Sequence, residues 1–279
     1  MKLATYRQGD ATKVGLVEDG ALIESAFPGS MVDLISRWDT ARAPLLAAAK
    51  HAPRRPLSDV QLCAPVLRPG KIFAIGLNYA DHIAESGLEA PKRQVWFTKA
   101  VTSVNGPFDP IVIARGAPFV DYEVELVAVI GKRGKHITAE RAREHVFGYC
   151  VGNDVTERMW QHATPQWSLG KSFDTHAPFG PWITTADEMP DPHGLELRCS
   201  VNEQPRQHSN TKHLVYDVWQ QIEHLSSAMT LEPGDILFTG TPGGVGAAMN
   251  PRVFLKAGDV VRCEIEGLGA ITATLVDET

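Results

Sequence analysis

One stretch of the chain, residues 119–131 (FVDYEVELVAVIG), joins alternating acids to an unbroken apolar run. Its second half is rich in β-branched residues and ends at a glycine, which is typical of a buried strand. In its first half, acids stand at every second position, at Asp121, Glu123 and Glu125. Because side chains two residues apart share one face of a strand, two or three carboxylates are predicted to point into one space.

Carboxylates that lie this close repel one another, and burying them is costly. We therefore predict a cation between them, and a hard divalent ion such as Mg²⁺ suits an all-carboxylate site. The alternative is a solvent-exposed face of an edge strand, since charged residues are mostly exposed. The direct continuation of the acids into an apolar strand weighs against that alternative.

The length and composition of the chain are sufficient for a full hydrophobic core. It has 279 residues, of which 43% are apolar and 22% charged, as in ordinary globular proteins. The net charge of −6 argues against nucleic acid or an anionic membrane as the main partner. No apolar run approaches membrane-spanning length, and the N-terminus lacks the apolar core of a signal peptide. We predict a cytoplasmic protein.

The four cysteines, Cys63, Cys150, Cys199 and Cys263, are far apart in sequence and form no C-x-x-C pair. A zinc site and a disulfide framework are therefore not predicted. Reduced and mostly buried thiols are the expectation.

The pattern along the chain divides it into two parts. Residues 1–27 alternate like short strands, with a hairpin turn at Asp19-Gly20, and residues 31–50 indicate a helix interrupted near Pro44. The following run, rich in proline and arginine, is typical of a domain junction. We predict a small N-terminal α/β domain over residues 1–66 and a catalytic domain over residues 67–279, with an amphipathic helix over residues 212–230.

A candidate acid–base pair lies in the segment 78–87, which is predicted to be a short helix ended by Gly87. His82 and Glu85 are three residues apart and so share one face of that helix. A carboxylate beside a histidine fixes its tautomer and raises its basicity, as a general base requires. The alternative is a simple surface pair.

Two further candidates follow apolar segments. Asp154 comes just after a predicted buried strand over residues 146–152. Its side chain would point into a cavity there as a third metal ligand. Alternatively, it caps a helix over residues 157–161. Lys171 stands between Gly170 and Ser172, and it would stabilise a developing negative charge or lie in solvent. The segment is no phosphate loop, because Pro165 stands where that motif needs glycine.

The glycine-rich turn over residues 240–246 (GTPGGVG) lacks both a phosphate-loop lysine and the dinucleotide spacing. Nucleotide binding is therefore not predicted. Its backbone amides and the Thr241 hydroxyl would suit a small anion, and a wide hairpin loop is the alternative.

Five segments, in this order, resemble the fumarylacetoacetate hydrolase superfamily and span roughly residues 70–250. They are residues 76–82 (GLNYADH) with Glu85, residues 121–126 (DYEVEL), residues 148–155 (GYCVGNDV), residues 170–175 (GKSFDT) and residues 237–246 (LFTGTPGGVG). The resemblance implies an α+β, β-rich fold, with a mixed β-roll or β-sandwich catalytic domain, and a homodimer.

The resemblance also implies roles for particular residues. A metal ion, usually Mg²⁺ and sometimes Mn²⁺ or Ca²⁺, would be held by Glu123, Glu125 and Asp154, with no ligand role for Asp121. His82 and Glu85 would activate water. The remaining assignments are Lys171 as the active-site lysine and Arg158, Gln161 and Thr241 as substrate-binding residues.

From this resemblance we predict a metal-dependent hydrolase that cleaves a C–C bond in an acylpyruvate, a 2,4-dioxo acid, through a metal-stabilised enolate. The alternatives are a decarboxylase of oxaloacetate-like acids, an isomerase of 2-hydroxy-dienoates, and a non-catalytic ligand-binding relative. The chain departs from the family pattern at Met159, at the turn over residues 164–167 and at His176. These departures bear on the substrate and leave the metal ligands intact.

Overall fold

The structure is a computed structural model that describes residues 1–87, 89 and 91–279. In the described part of the chain its strands are two to nine residues long. In chain order they are β1 (Lys2–Gln8), β2 (Ala11–Glu18), β3 (Ala21–Glu24), β4 (Arg54–Pro56), β5 (Leu62–Cys63), β6 (Ile72–Gly76), β7 (Val95–Thr98), β8 (Val104–Asn105), β9 (Ile111–Ile113), β10 (Val120–Asp121), β11 (Val124–Ile130), β12 (Val146–Asn153), β13 (Thr156–Glu157), β14 (Ala177–Thr185), β15 (Glu196–Val201), β16 (Gln204–Asn210), β17 (Ile236–Phe238), β18 (Val260–Ile265) and β19 (Gly269–Asp277).

Helices are fewer and lie mostly at the margins of the sheets. The α-helices are α1 (Met31–Ser36), α2 (Trp38–Ala49), α3 (Ala80–Ser86), α4 (Ala139–Ala142), α5 (Arg158–His162) and α6 (Val218–Ala228). Single 3₁₀ turns cover Leu57–Asp59, Val101–Ser103, Arg143–His145, Thr211–His213 and Gly246–Ala248. No helix in the described part of the chain is long and apolar enough to cross a bilayer.

A twelve-stranded sheet dominates the fold, in the order β4-β3-β2-β1-β14-β12-β11-β17-β6-β7, with β5 beside β1 and β8 beside β14. Its β17–β6 and β14–β8 pairs are parallel, and its other pairs are antiparallel. A five-stranded sheet has the order β16-β15-β18-β19-β9, and β10 pairs with β13. These mixed, strand-rich sheets confirm the predicted α+β, β-rich fold class.

Strand β11 lies between two hydrophobic cores, and all seven of its residues are buried. Leu126 and Ala128 pack with residues of the five-stranded sheet, whereas Val127 and Val129 pack in the core that α1 and α2 cover. A strand that is buried on both faces reads as an unbroken apolar run, which explains the sequence pattern. The acids at its N-terminal end are therefore held at a rigid position in the fold.

The N-terminal segment forms β1 to β3 as predicted. Strand β1 pairs with β14 and so extends the large sheet. The predicted helix over residues 31–50 is two helices that break at Arg37, where φ is −112° and ψ is 16°. Pro44 lies inside α2, so the prediction of a break there is wrong. The domain division at residue 66 stays a prediction.

Helix α6 is shorter than the sequence predicts, because it begins at Val218 and not at residue 212. Asp217 accepts a hydrogen bond from the Gln220 amide, and the Gln220 side chain accepts one from the Asp217 amide. This reciprocal cap fixes the start of the helix. Its predicted apolar stripe is buried, at Val218, Ile222 and Leu225. All four cysteines are buried and free, as expected.

Candidate active site

The three predicted metal ligands meet at one end of β11 and β12. Glu123 stands just before β11, Glu125 lies within it, and Asp154 follows β12. The Asp154 amide donates to the Glu123 carbonyl at 2.9 Å, which places the two side by side. One carboxylate oxygen of each residue lies within 4.8 Å of the others. We call these residues the carboxylate triad.

Two buried lysines are paired with the carboxylate triad. Lys171 Nζ lies 2.8 Å from Glu123 Oε2 and 2.7 Å from Asp154 Oδ2. Lys99 Nζ lies 2.5 Å from Asp154 Oδ1 and also donates to the Lys171 carbonyl. Both oxygens of Asp154 are thus engaged by ammonium groups, so its carboxylate is fixed in direction.

The pKa values of the two lysines shift in opposite directions. Burial lowers the pKa of Lys99, and its one carboxylate partner only partly offsets that effect. Burial also disfavours the charged form of Lys171, but Asp154 and Glu123 together raise its pKa above the usual value. Burial would raise the pKa of Glu123, yet Lys171 and Arg158 hold it below its usual range. The ion pairs at Lys171 and Glu123 therefore stabilise charges that burial disfavours.

Glu125 has a different environment. Its Oε2 accepts a hydrogen bond from the Gly240 amide at 2.7 Å, and it contacts no cation among the residues that the structure describes. Burial, followed by the charges of Asp154 and Glu123, raises its pKa well above the usual value. An ionised Glu125 is therefore not balanced by a contacting cation in the described part of the chain.

The donor set of the carboxylate triad fits a hard divalent cation. Mg²⁺ and Mn²⁺ are bound in proteins mainly by carboxylate oxygens, and here three such groups converge in a buried space. A divalent ion would supply the cationic partner that Glu125 lacks among the described residues. Glu123, Glu125 and Asp154 are thus the residues that would hold the metal, and their ligand roles stay predictions.

Asp121 has a structural position, consistent with its exclusion as a ligand. Its Oδ2 accepts from Arg158 Nε at 2.9 Å and lies 2.8 Å from Arg158 Nη2. The amides of Gly246 and Ala247 donate to the same carboxylate at 2.8 and 2.9 Å. Arg158 Nη1 in turn lies 2.7 Å from Glu123 Oε1. Asp121 therefore ties the glycine-rich turn to the carboxylate triad through Arg158.

Helix α5 places the predicted Arg158 and Gln161 side by side, with Arg158 Nη1 donating to Gln161 Oε1 at 3.0 Å. The cap of this helix is Glu157, whose carboxylate accepts from the Trp160 amide at 2.7 Å. The alternative role of Asp154 as the helix cap is therefore wrong.

The predicted acid–base pair lies on α3. His82 Nδ1 is 3.5 Å from Glu85 Oε1, and the side chains are 15% and 27% exposed. That separation is longer than a well-formed hydrogen bond. Glu85 Oε2 also accepts from the Gly244 amide at 2.6 Å. Burial raises the pKa of Glu85, but His82 and the backbone amides outweigh it, and the net shift is downward.

The amides of the glycine-rich turn bind carboxylates of the protein itself. Gly240 donates to Glu125 and Gly244 to Glu85, in addition to the contacts of Gly246 and Ala247 with Asp121. These amides are therefore already used, and the turn is a poor site for a separate small anion. Its glycines allow the backbone to approach these groups closely.

The Thr241 hydroxyl is also engaged, since it donates to the Val124 carbonyl at 2.9 Å and accepts from Gln207 Nε2 at 2.8 Å. Gln207 Oε1 accepts from the Val124 amide at 2.9 Å, so this side chain joins β11 to the glycine-rich turn. The predicted substrate contact of Thr241 would therefore share its hydroxyl with the protein.

One cavity of about 630 Å³ opens onto these groups. Glu125 and Asp154 are buried and are not among the described residues that line it. The predicted site residues that line it are His82, Glu85, Glu123, Arg158, Gln161, Lys171 and Thr241.

Sequence reasoning missed Lys99 and Gln207, and it included Trp167 only within the departing turn over residues 164–167. Lys99 directly follows β7, and a lysine ending an apolar run is a signal that could have found it. Trp167 lines the cavity, and a Cβ on Gly76 would lie 2.2 Å from its ring. The departure at residues 164–167 therefore does reach the substrate space. His176 is fully buried against the Val112 carbonyl and is not among the described lining residues.

Comparisons with known proteins find relatives that match most of the chain. Rat oxaloacetate tautomerase Fahd2a, mitochondrial, is 45% identical over 264 residues, which cover 94% of this chain and 84% of the relative. A maleylpyruvate hydrolase from Sphingobium sp. SYK-6, solved with a manganese(II) ion and pyruvate, is 32% identical with a TM-score of 0.86 over 100% of both chains.

A 2-hydroxyhepta-2,4-diene-1,7-dioate isomerase from Mycobacterium marinum is 33% identical, with a TM-score of 0.80 over 100% of this chain and 99% of that one. These relatives carry three different activities on one fold. The family described as fumarylacetoacetate (FAA) hydrolase C-terminal matches residues 71–276. The chain therefore belongs to the fumarylacetoacetate hydrolase family and is an enzyme of that superfamily.

Proposed function

We propose that this protein is a divalent-metal-dependent enzyme that interconverts the keto and enol forms of a small 2-oxo acid, with oxaloacetate as the first candidate. The observation that carries the proposal is that Lys171, paired with two carboxylates of the triad, and the His82–Glu85 pair line one cavity. The named activity of the rat relative supports the choice of oxaloacetate.

The chemistry uses one base and one buried cation. When bound at the carboxylate triad, a divalent ion supplies Lewis-acid polarisation of the 2-oxo group. His82 removes a proton from the carbon beside that group, and Glu85, 3.5 Å from its Nδ1, orients the imidazole. The electron pair moves onto the oxygen, where the Lys171 ammonium stabilises the negative charge. Transfer of the proton from the His82 imidazolium to this oxygen completes the enol and regenerates the base.

Hydrolysis of an acylpyruvate is the second candidate. His82 is partly exposed at the cavity, so water reaches the imidazole. The maleylpyruvate hydrolase solved with pyruvate supports this reaction class as well. In this case His82 would deprotonate water, which attacks the carbonyl beyond the 2-oxo group, and the released fragment would be the enol of pyruvate.

The test follows enol-oxaloacetate by its ultraviolet absorbance in Mg²⁺ or Mn²⁺ and, in parallel, measures pyruvate with lactate dehydrogenase. Loss of the enol without pyruvate is the expected result. His82→Asn should slow this step about 10²- to 10⁴-fold. The matched control is His208→Asn, because His208 is an exposed histidine paired with Glu196.

Other outcomes overturn the proposal in favour of a specific alternative. Pyruvate released from acetylpyruvate, with no acceleration on oxaloacetate, would identify a hydrolase. Pyruvate from oxaloacetate that persists in His82→Asn would identify a decarboxylase, since loss of CO₂ needs no water and no such base.

A further inference from the structure

Arg252 differs from the other cations of the cavity. It lines the cavity and is exposed, and within the described part of the chain it has no ion-pair or hydrogen-bond partner. Arg158, in contrast, is buried between two carboxylates. The acids among the described lining residues are Glu85 and Glu123, and each is already engaged by other groups. Arg252 is therefore a cation that the protein leaves unpaired at the cavity.

The backbone that directly follows Arg252 is anchored at two residues. The Val253 amide donates to the Gly246 carbonyl at 3.0 Å, and the Leu255 amide donates to the Val120 carbonyl at 2.8 Å. A Cβ on Gly246 would lie 1.9 Å from the Val253 carbonyl oxygen, so the two segments touch. Arg252 thus directly precedes the residue that is hydrogen-bonded to Gly246, and the Gly246 amide binds Asp121 next to Arg158.

Three cations of the cavity lie close enough to His162 to lower its pKa. Besides burial, the charges of Arg158, Arg252 and Lys171 each lower the pKa of His162. His162 also lines the cavity. Arg252 therefore faces the same space as the two buried cations, from the exposed side.

Besides these cations, much of the cavity wall is apolar. The apolar residues include Ile75, Trp167, Val245, Ala248, Met249 and Phe254. Such a wall suits a carbon chain that carries charge only at its ends, because a polar group there would be desolvated without a partner. A cavity with this wall and with cations at Lys171 and Arg252 would suit a molecule that carries two anionic groups.

We infer that Arg252 binds a second carboxylate of the substrate, so that the enzyme selects 2-oxo dicarboxylic acids over 2-oxo monocarboxylic acids. The inference rests on the proposed function, because it assumes that the first carboxylate and the 2-oxo group bind at the buried end. Arginine suits this role because its planar guanidinium binds carboxylates through two hydrogen bonds.

The test is a binding measurement and does not depend on turnover. Calorimetry on the Mn²⁺-loaded protein compares 2-oxoadipate with 2-oxohexanoate, which have equal carbon number and differ in the second carboxylate. Oxaloacetate and 2-oxoglutarate extend the diacid series to shorter chains. The wild type should bind at least one diacid about tenfold or more tightly than the monoacid.

Arg252→Gln should remove that preference by weakening the diacid alone and leaving 2-oxohexanoate unchanged. The matched control is Arg262→Gln, because Arg262 is an exposed arginine that pairs with Glu264 on β18. It should leave both affinities unchanged.

A failure of the inference about Arg252 and a failure of the proposed function give different results. A preference for diacids that survives in Arg252→Gln, or equal binding of diacids and monoacid by the wild type, overturns the role of Arg252 and leaves the proposed function standing. If the Mn²⁺-loaded protein binds none of these acids, the proposed function fails and the inference fails with it.

Discussion

The two ends of the cavity differ in how firmly their charged groups are held. At the buried end, the Glu123 and Lys171 side chains are 6% and 3% exposed and lie 2.8 Å apart. At the open end, His82 and Glu85 are more exposed and 3.5 Å apart, and Arg252 has no partner among the described residues. Buried charges persist only when they are paired, so the fold must fix the buried end. The open end can change without that cost, and we expect it to determine which reaction a relative performs.

The largest expected effect is a difference in stability between two substitutions at the buried end. Glu123→Gln leaves Lys171 and Arg158 without a shared carboxylate and should lower the free energy of unfolding by about 3–5 kcal/mol. Glu125→Gln removes a carboxylate that contacts no described cation, so the free energy of unfolding should stay unchanged or rise. Urea unfolding in the presence of a chelator measures both. Equal losses in the two variants would contradict the distinction between Glu123 and Glu125.

The next effect concerns the open end. Glu85→Gln keeps an oxygen for the Gly244 amide and removes the charge beside His82. The rate should fall about 10- to 100-fold, the usual effect of losing a carboxylate that orients a histidine. The free energy of unfolding should change by less than about 1 kcal/mol, because the pair is partly exposed. A stability loss as large as that of Glu123→Gln would show that both ends are fixed alike.

The smallest expected effect is a dependence of the free energy of unfolding on pH, and it arises at the buried His176. Burial, and then the charge of Lys99, lowers the pKa of His176 from its usual value to about 3. In the unfolded chain His176 is protonated as the pH falls through about 6.5, whereas in the folded protein it stays neutral. The free energy of unfolding therefore falls as the pH falls below that value. Between pH 7 and pH 5 this histidine should account for a loss of about 2 kcal/mol.

The measurement is urea unfolding at both pH values, with chelator, for the wild type and His176→Gln. The variant should lose less stability on acidification, because it has no group to titrate at this position. Equal pH dependence in both proteins would mean that His176 is not held neutral by the fold.

Local rules were sufficient for part of the site. The alternation of side chains along a strand placed Glu123 and Glu125 on one face, and Asp154 was found because it directly follows an apolar strand. The start of α6 also has a local signal in the sequence. Asp217 and Gln220 are three residues apart, which is the spacing of a reciprocal helix cap.

Other parts of the site depend on pairing between distant segments. Lys99 reaches Asp154 across 55 positions, and Gln207 reaches Val124 across 83. The glycine-rich turn was recognised, but its amides meet Glu85, Glu125 and Asp121 only because the fold brings α3 and the end of β11 to it. Spacing in the sequence carries no information on such contacts, so the pairings could not be predicted, even where a local signal marks the residue itself, as it does for Lys99.

The most direct test of the buried end is a calorimetric titration of the metal-free protein with Mn²⁺, for the wild type and Glu125→Gln. If the carboxylate triad holds the metal, the wild type binds one ion per chain, and Glu125→Gln, although folded and at least as stable, binds it far more weakly. Equal Mn²⁺ affinity in the two proteins would place the metal elsewhere and would contradict the proposed site.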